Sequence, residues 1–153
     1  MTEKETCTLL KEIAKEEPYA GLMRIEVVEV KPGYARVKAQ INEEMLNIHS
    51  ITHGGVLFGL VDEAFELASN SHGTVAVALN MNITFFAATG TGDELTAEAR
   101  EIFRSRRTAT YQIDVTKDDG QRIAACQALV YRKTAPLPGL EKMKGSHLEE
   151  GIS

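Results

Sequence analysis

The residues with the most chemical content lie between positions 53 and 73, in HGGVLFGLVDEAFELASNSHG. His53-Gly54-Gly55 opens a run with helical periodicity, and that run carries a carboxylate, Asp62, among Leu60, Val61, Ala64 and Phe65. Glycines at a helix start leave backbone N–H groups uncovered by side chains, where the helix dipole favours negative charge. A lone acid in an apolar run is costly to bury without a partner or a task. Together they suit a reaction in which charge develops on a carbonyl oxygen beside an acid or base.

Helical geometry constrains how such a site is assembled. Leu57, Val61, Ala64 and Ala68 form the apolar stripe of the predicted helix, and Asp62 lies about 130° round from its centre. Gly55, Glu66 and Ser69 share the side of Asp62, with Phe58 and Phe65 between that side and the stripe. Phenylalanines mixed with acids are not a plain solvent face, so this side is expected to meet a ligand or another subunit. Gly54 and Asp62 are separated by about 12 Å along the axis at ~1.5 Å per residue. One carbonyl group does not span that distance. Two such helices antiparallel across a two-fold axis bring the Gly54 end of one to Asp62 of the other, so a site shared between subunits is expected. The position of Asp62 equally suits a paired interface carboxylate.

Other chemistries have weaker signals. His49, His72 and His147 show no metal-ligand spacing, so neither a metal nor a cofactor is expected. His53 alone reads as a helix cap and Asn47 as a turn residue, while Glu63 and Glu66 read as solvated or partnered helix acids. Nucleophile-elbow, phosphate-loop and dinucleotide fingerprints are missing. Arg104-Ser105-Arg106-Arg107 reads either as a solvated bend between strands or as a local site for a phosphorylated ligand.

The elements that must position these residues follow from periodicity and turn chemistry. Residues 4–16 predict a short helix lined by Leu9, Leu10 and Ile13 and stopped by Pro18. Strands are expected over 22–30 and 34–41, with Pro32-Gly33 between them. In the second, Ala35, Val37, Ala39 and Ile41 alternate with Arg36, Lys38 and Gln40, so one face is wet. A polar connection over 42–52 leads to the helix, about 54–70, which His72-Gly73 ends. Strands follow at about 75–88, 93–104, 107–117 and 122–132, and 134–153 is expected to be a loosely held tail. One long apolar helix among antiparallel strands fits an α+β domain over 1–133, in which a sheet wraps the helix.

With 153 residues, 43% hydrophobic and 25% charged, the chain reads as one globular domain. Its net charge of −5 argues against a nucleic-acid partner. No apolar run has the ~18 residues of a membrane span, and the N-terminal residues lack a signal core, so a cytoplasmic protein is expected. Cys7 and Cys126 read as free thiols. Phe58, Phe65, Phe85, Phe86 and Met81 could line a pocket, but at least three of the five are expected in the core.

Asn47, then His53-Gly54-Gly55, then Asp62-Glu63-Ala64 resembles the hotdog-fold acyl-CoA thioesterases, closest to the phenylacetic acid degradation type. Gly92-Asp93-Glu94-Leu95-Thr96-Ala97 agrees further along, and the resemblance spans about residues 20–133. It implies a curved antiparallel sheet around one long helix, homodimers pairing into a homotetramer, and hydrolysis of an acyl-CoA thioester. It also implies sites between subunits. Carried over by position, Asp62 is the base or nucleophile and the Gly54 N–H polarises the carbonyl. His53 and Asn47 orient the loop or the water. Gly55, Glu63 and Phe58 are candidates for substrate contact, with Arg104, Arg106 and Arg107 for the phosphates of coenzyme A. Relatives often have a small hydroxyl or amide where this chain has Glu63. Two other functions are possible on this fold. A hydratase would use His53 as base beside Asp62, though the glycine pair after His53 favours the thioesterase. A non-catalytic acyl-CoA-binding module gains little from Asp62.

Overall fold

A computed structural model of the chain describes residues 2–140. Its elements run α1 (Glu3–Ala14), α2 (Pro18–Leu22), β1 (Glu26–Lys31), β2 (Tyr34–Gln40), a 3₁₀ turn (Glu43–Met45), α3 (Gly54–Asn70), β3 (Thr74–Phe85), β4 (Glu94–Arg104), β5 (Thr108–Lys117) and β6 (Arg122–Pro136). The strands form one six-stranded sheet in the order β1-β2-β4-β5-β6-β3. Every neighbouring pair is antiparallel. The sheet curves round α3, which is the hotdog arrangement.

Small residues let the helix sit close. Ala35, Ala39, Ala97, Ala99, Ala109, Ala124 and Ala128 are buried in the core cluster beneath Leu57, Leu60, Val61, Ala64, Leu67 and Ala68. Phe65 meets Tyr111 edge-to-face at 5.6 Å, a geometry that adds to its area burial. The alternation of β2 is as expected, with Ala35, Val37 and Ala39 buried and Arg36, Lys38 and Gln40 towards solvent.

Several expectations are corrected. Pro18 does not stop α1. That helix ends at Ala14, and Pro18 instead opens α2 in its first turn, where a missing N–H costs nothing. Residues 22–25 are therefore not strand, and β1 begins at Glu26. At the other end, β6 continues to Pro136, which pairs with Thr74. Leu140 is buried, so 134–140 belong to the fold rather than to a tail, and residues 141–153 lie outside the described residues.

The end of α3 is tied from two sides. Asn70 Oδ1 accepts from the Ala76 N–H at 2.9 Å, which starts β3. The Ser71 hydroxyl donates to the Ala68 carbonyl at 2.6 Å and accepts from the Gly33 N–H at 2.8 Å, which fixes the β1–β2 turn against the helix. Gly33 has φ +70, a conformation that favours glycine in this tight turn.

The sheet has two edge strands, β1 and β3, and β3 with the residue after it, Phe86, is the edge that carries exposed apolar side chains. Val77, Leu79, Phe85 and Phe86 are all exposed there. A long edge strand with exposed apolar side chains is a template for pairing with another chain.

Candidate active site

The segment before α3 is pinned on both sides. Leu46 and Thr52 form an isolated antiparallel bridge. The His53 N–H donates to the Met45 carbonyl at 2.8 Å. Thr52 is buried, donates its N–H to the Thr89 carbonyl at 2.9 Å, and accepts from the Thr89 hydroxyl at 2.7 Å. Inside this frame Asn47 closes the loop. Its Oδ1 accepts from the N–H groups of His49 at 2.8 Å and Ile51 at 3.3 Å. Ser50 sits at φ +60, a strained setting for a residue with a side chain, so the asparagine bonds hold a loop that would otherwise relax.

At the start of α3, His53 is the cap. Its Nδ1 accepts from the Gly55 N–H at 2.8 Å, and its carbonyl accepts from Val56 at 2.9 Å and Leu57 at 3.4 Å. The Gly54 N–H has no acceptor among the described residues, as the first helical donor should not. The Phe85 ring sits against it, with Cζ 3.4 Å from where a Cβ on Gly54 would lie. With Nδ1 accepting, a neutral His53 carries its proton on Nε2. Phe85 thus enters the site from β3, a long-range contact that local pattern does not reveal.

Along α3, the exposed positions are Gly55, Phe58, Asp62 and Glu66, one continuous outer stripe. The expected outer side is narrower than this sequence suggests, because Phe65 is 1% and Ser69 4% exposed, both turned into the fold. The aromatic expectation is corrected in the other direction. Phe65 is core and Met81 half-buried, whereas Phe58, Phe85 and Phe86 stand exposed at 39%, 49% and 54%. Phe58 lies one turn before Asp62 on this stripe, Phe85 stands at the Gly54 end and Phe86 follows it, and exposed aromatic side chains of this kind mark a surface suited to a partner. The carboxyl of Asp62 is raised above the usual range by desolvation, and further by the charge of Glu17. α3 is unbroken from Gly54 to Asn70, so the ~12 Å between Gly54 and Asp62 stands.

Glu63, expected to be a solvated or partnered helix acid, is neither solvated nor paired with a cation among the described residues. It is 3% exposed, and its Oε1 has no hydrogen-bond partner. Its carboxyl is pushed far above the ordinary range by burial first, then by Glu17 and Glu66. Glu66 is raised for the same reasons, burial leading and Glu17 next. The native state therefore holds a proton that the unfolded chain gives up above about pH 4.5. Stability from this group is present below that pH and is lost as pH rises through neutrality. In buffer with chelator, Glu63→Gln should melt higher than wild type at pH 8.5, by at least the ~2–4 °C that one kcal/mol gives in a domain of this size. The gap should close by pH 4. Thermal melts across this range check it, and a gap that widens towards acid contradicts it.

The remaining candidates lie apart. Arg104 ends β4, contacts the His72 ring and reaches Glu101 at 3.6 Å. Arg106 and Arg107 are exposed on the β4–β5 turn. Sequence reasoning missed Glu17 and Tyr19. Tyr19 lies so close over Gly59 that any side chain at 59 would strike its hydroxyl. Cys7 and Cys126 are buried free thiols.

A sheet wrapped round one helix, with an unoccupied glycine N–H at the helix start and an acid two turns on, defines a class. Residues 49–124 match the Thioesterase superfamily, and the chain belongs to that family, in its hotdog-fold, PaaI-like group of acyl-CoA thioesterases. It is 39% identical over 124 residues to a putative esterase of Archaeoglobus fulgidus, covering 81% of this chain and 80% of that one. It is 32% identical over 120 residues to the acyl-coenzyme A thioesterase PaaI of Escherichia coli, covering 78% and 86%. The structure of the Escherichia coli PaaI protein from the phenylacetic acid degradation operon superposes with a TM-score of 0.84 at 28% identity, over 89% of this chain and 99% of that one.

Proposed function

We propose that the protein hydrolyses acyl-CoA thioesters at a site shared by two copies of the chain. The observation that carries this reading is the placement of the Gly54 N–H. It is a helix-start donor without an acceptor, beside Phe85 and Asn47's pinned loop, and out of reach of Asp62 on its own helix. The exposed edge of β3 and the Phe58–Asp62–Glu66 stripe support a second copy as the cover. Two β3 edges pairing across a two-fold axis would set the two α3 helices antiparallel. Pairing of such dimers gives the homotetramer.

In this arrangement the thioester carbonyl accepts from the Gly54 N–H of one copy. Asp62 of the other takes a proton from water as its oxygen attacks the carbonyl carbon, or attacks directly to give a mixed anhydride that water then opens. Negative charge gathers on the carbonyl oxygen, the C–S bond breaks, and the coenzyme A thiolate leaves and collects the proton. The raised carboxyl of Asp62 suits a base, since proton uptake is easier at a desolvated acid. His53 and Asn47 position the donor, Gly55 and Phe58 flank the acyl group, and Glu63 shapes the helix beneath from its buried position. No helix among the described residues is long and apolar enough to cross a membrane. A cytoplasmic setting fits the two free thiols.

Thiol release from a panel of acyl-CoAs, from acetyl through long chains to phenylacetyl and hydroxybenzoyl, tests the reading. Turnover of at least one member is expected. Binding without release of any member would favour the non-catalytic module instead. The arginines give a separate prediction. Arg106 and Arg107 face solvent without an acidic partner among the described residues, which supports reading them as contacts for coenzyme A phosphates. The double change to alanine should raise KM several-fold and weaken its dependence on salt, with kcat little altered. An unchanged KM rejects that role.

A further inference from the structure

We infer that Glu17, Glu63 and Glu66 form a binding site for an oxygen-preferring divalent cation. Each offers one carboxylate oxygen, and the three oxygens lie within 4.8 Å of one another. Three carboxylate oxygens this close together can share one such ion, Ca²⁺ or Mn²⁺ among them.

A second observation is independent of the cluster. Glu63 is 97% withdrawn from solvent (3% exposed), and its Oε1 meets no donor. No lysine, arginine or histidine pairs with any of the three acids among the described residues. The other charge acting on them is also negative, Asp62 one turn before Glu66. A buried carboxylate with an unpartnered oxygen, set beside two further carboxylates, is costly unless a proton or a cation lies between them. A shared proton does this while Glu63 stays protonated, and a divalent cation can displace that proton and take its place.

An ion has a way in. Glu17 and Glu66 line a cavity of about 500 Å³ between α1, α3 and the segment after β6, which Glu16, Asn70 and apolar side chains such as Leu10, Leu67 and Leu137 also line. Water in this cavity can supply the remaining ligands, as Ca²⁺ takes six to eight oxygens. A bound ion would tie the residue before α2 to the middle of α3. The inference does not depend on the proposed reaction.

The full chain, stripped with chelator and held at pH 8 and constant ionic strength, should be titrated with CaCl₂ and with MnCl₂. Calorimetry should show saturable binding of one ion per chain, and the melting temperature should rise with ion concentration as mass action requires. Glu63→Gln and Glu17→Gln should each weaken binding at least tenfold. If Glu63→Gln does not fold, Glu17→Gln at the half-buried rim decides alone. The inference is overturned by no saturable binding up to ~10 mM, well above the weakest usual protein Ca²⁺ sites. It is equally overturned by a folded variant that binds as wild type does.

Discussion

Asp62→Ala should lower kcat for acyl-CoA hydrolysis by about 10²–10⁴-fold, the range a positioned acid–base group contributes. A role as nucleophile would place the loss at or beyond the upper end. The fold should survive. Asp62 is on the exposed stripe of α3, makes no ion pair among the described residues, and carries a carboxyl that its surroundings hold above the usual range. Its charge is therefore a strain on the native state, and the melting temperature of Asp62→Ala should equal or exceed that of wild type at pH 8. Asp62→Asn keeps the shape and should lose as much turnover as alanine. Steady-state kinetics beside melting curves separate the two effects. Near-normal turnover in a folded Asp62→Ala refutes the assignment.

Gly54→Pro should cost about 10²–10³-fold in kcat, the usual loss of one oxyanion donor. A backbone N–H is not ordinarily removable, but position 54 permits it. Gly54 is the first residue of α3, where proline is well tolerated because the N–H has no helical acceptor. His53 has φ −63 and ψ 137, the extended conformation that a residue before proline requires. Gly54→Ala is the control, since it keeps the N–H and its Cβ meets only the Phe85 ring at 3.4 Å. It should lose far less than the proline variant. Equal losses in both would assign the effect to crowding at Phe85 rather than to the donor.

Much of the fold is legible because its signals are local. The glycine pair after His53 and the His72-Gly73 stop bracket α3 at Gly54–Asn70, and the β2 alternation survives residue by residue. Gly92 and Gly120, both at positive φ, sit in the turns before β4 and β6. Misreadings arise where one local signal serves two outcomes. Pro18 can end a helix or begin one, and the residues around it favour the second. Phe58, Phe85 and Phe86 are as apolar as core residues, but apolar content does not distinguish a core from a surface awaiting a partner. Glu63 lies only one residue from Asp62, yet the ~100° turn between them carries it from the outer stripe into the fold. Its meeting with Glu17 joins residues 46 apart in sequence, a contact that depends on how α2 packs over α3 and has no local trace. For the candidate site, Gly54 and Asp62 are singled out by spacing, whereas Phe85 and the Thr52–Thr89 clasp come from distant strands and loops.

The claim at the centre of this account is that each site takes Gly54 from one chain and Asp62 from another. Gly54→Pro and Asp62→Ala chains, each with its own affinity tag, can be mixed, refolded together and purified as verified heterodimers. One of the two sites in such a pair carries both defects and the other carries neither. The account predicts that inactive parents yield heterodimers with about half the wild-type turnover per dimer. Verified heterodimers as inactive as their parents would place donor and acid in the same chain and contradict it.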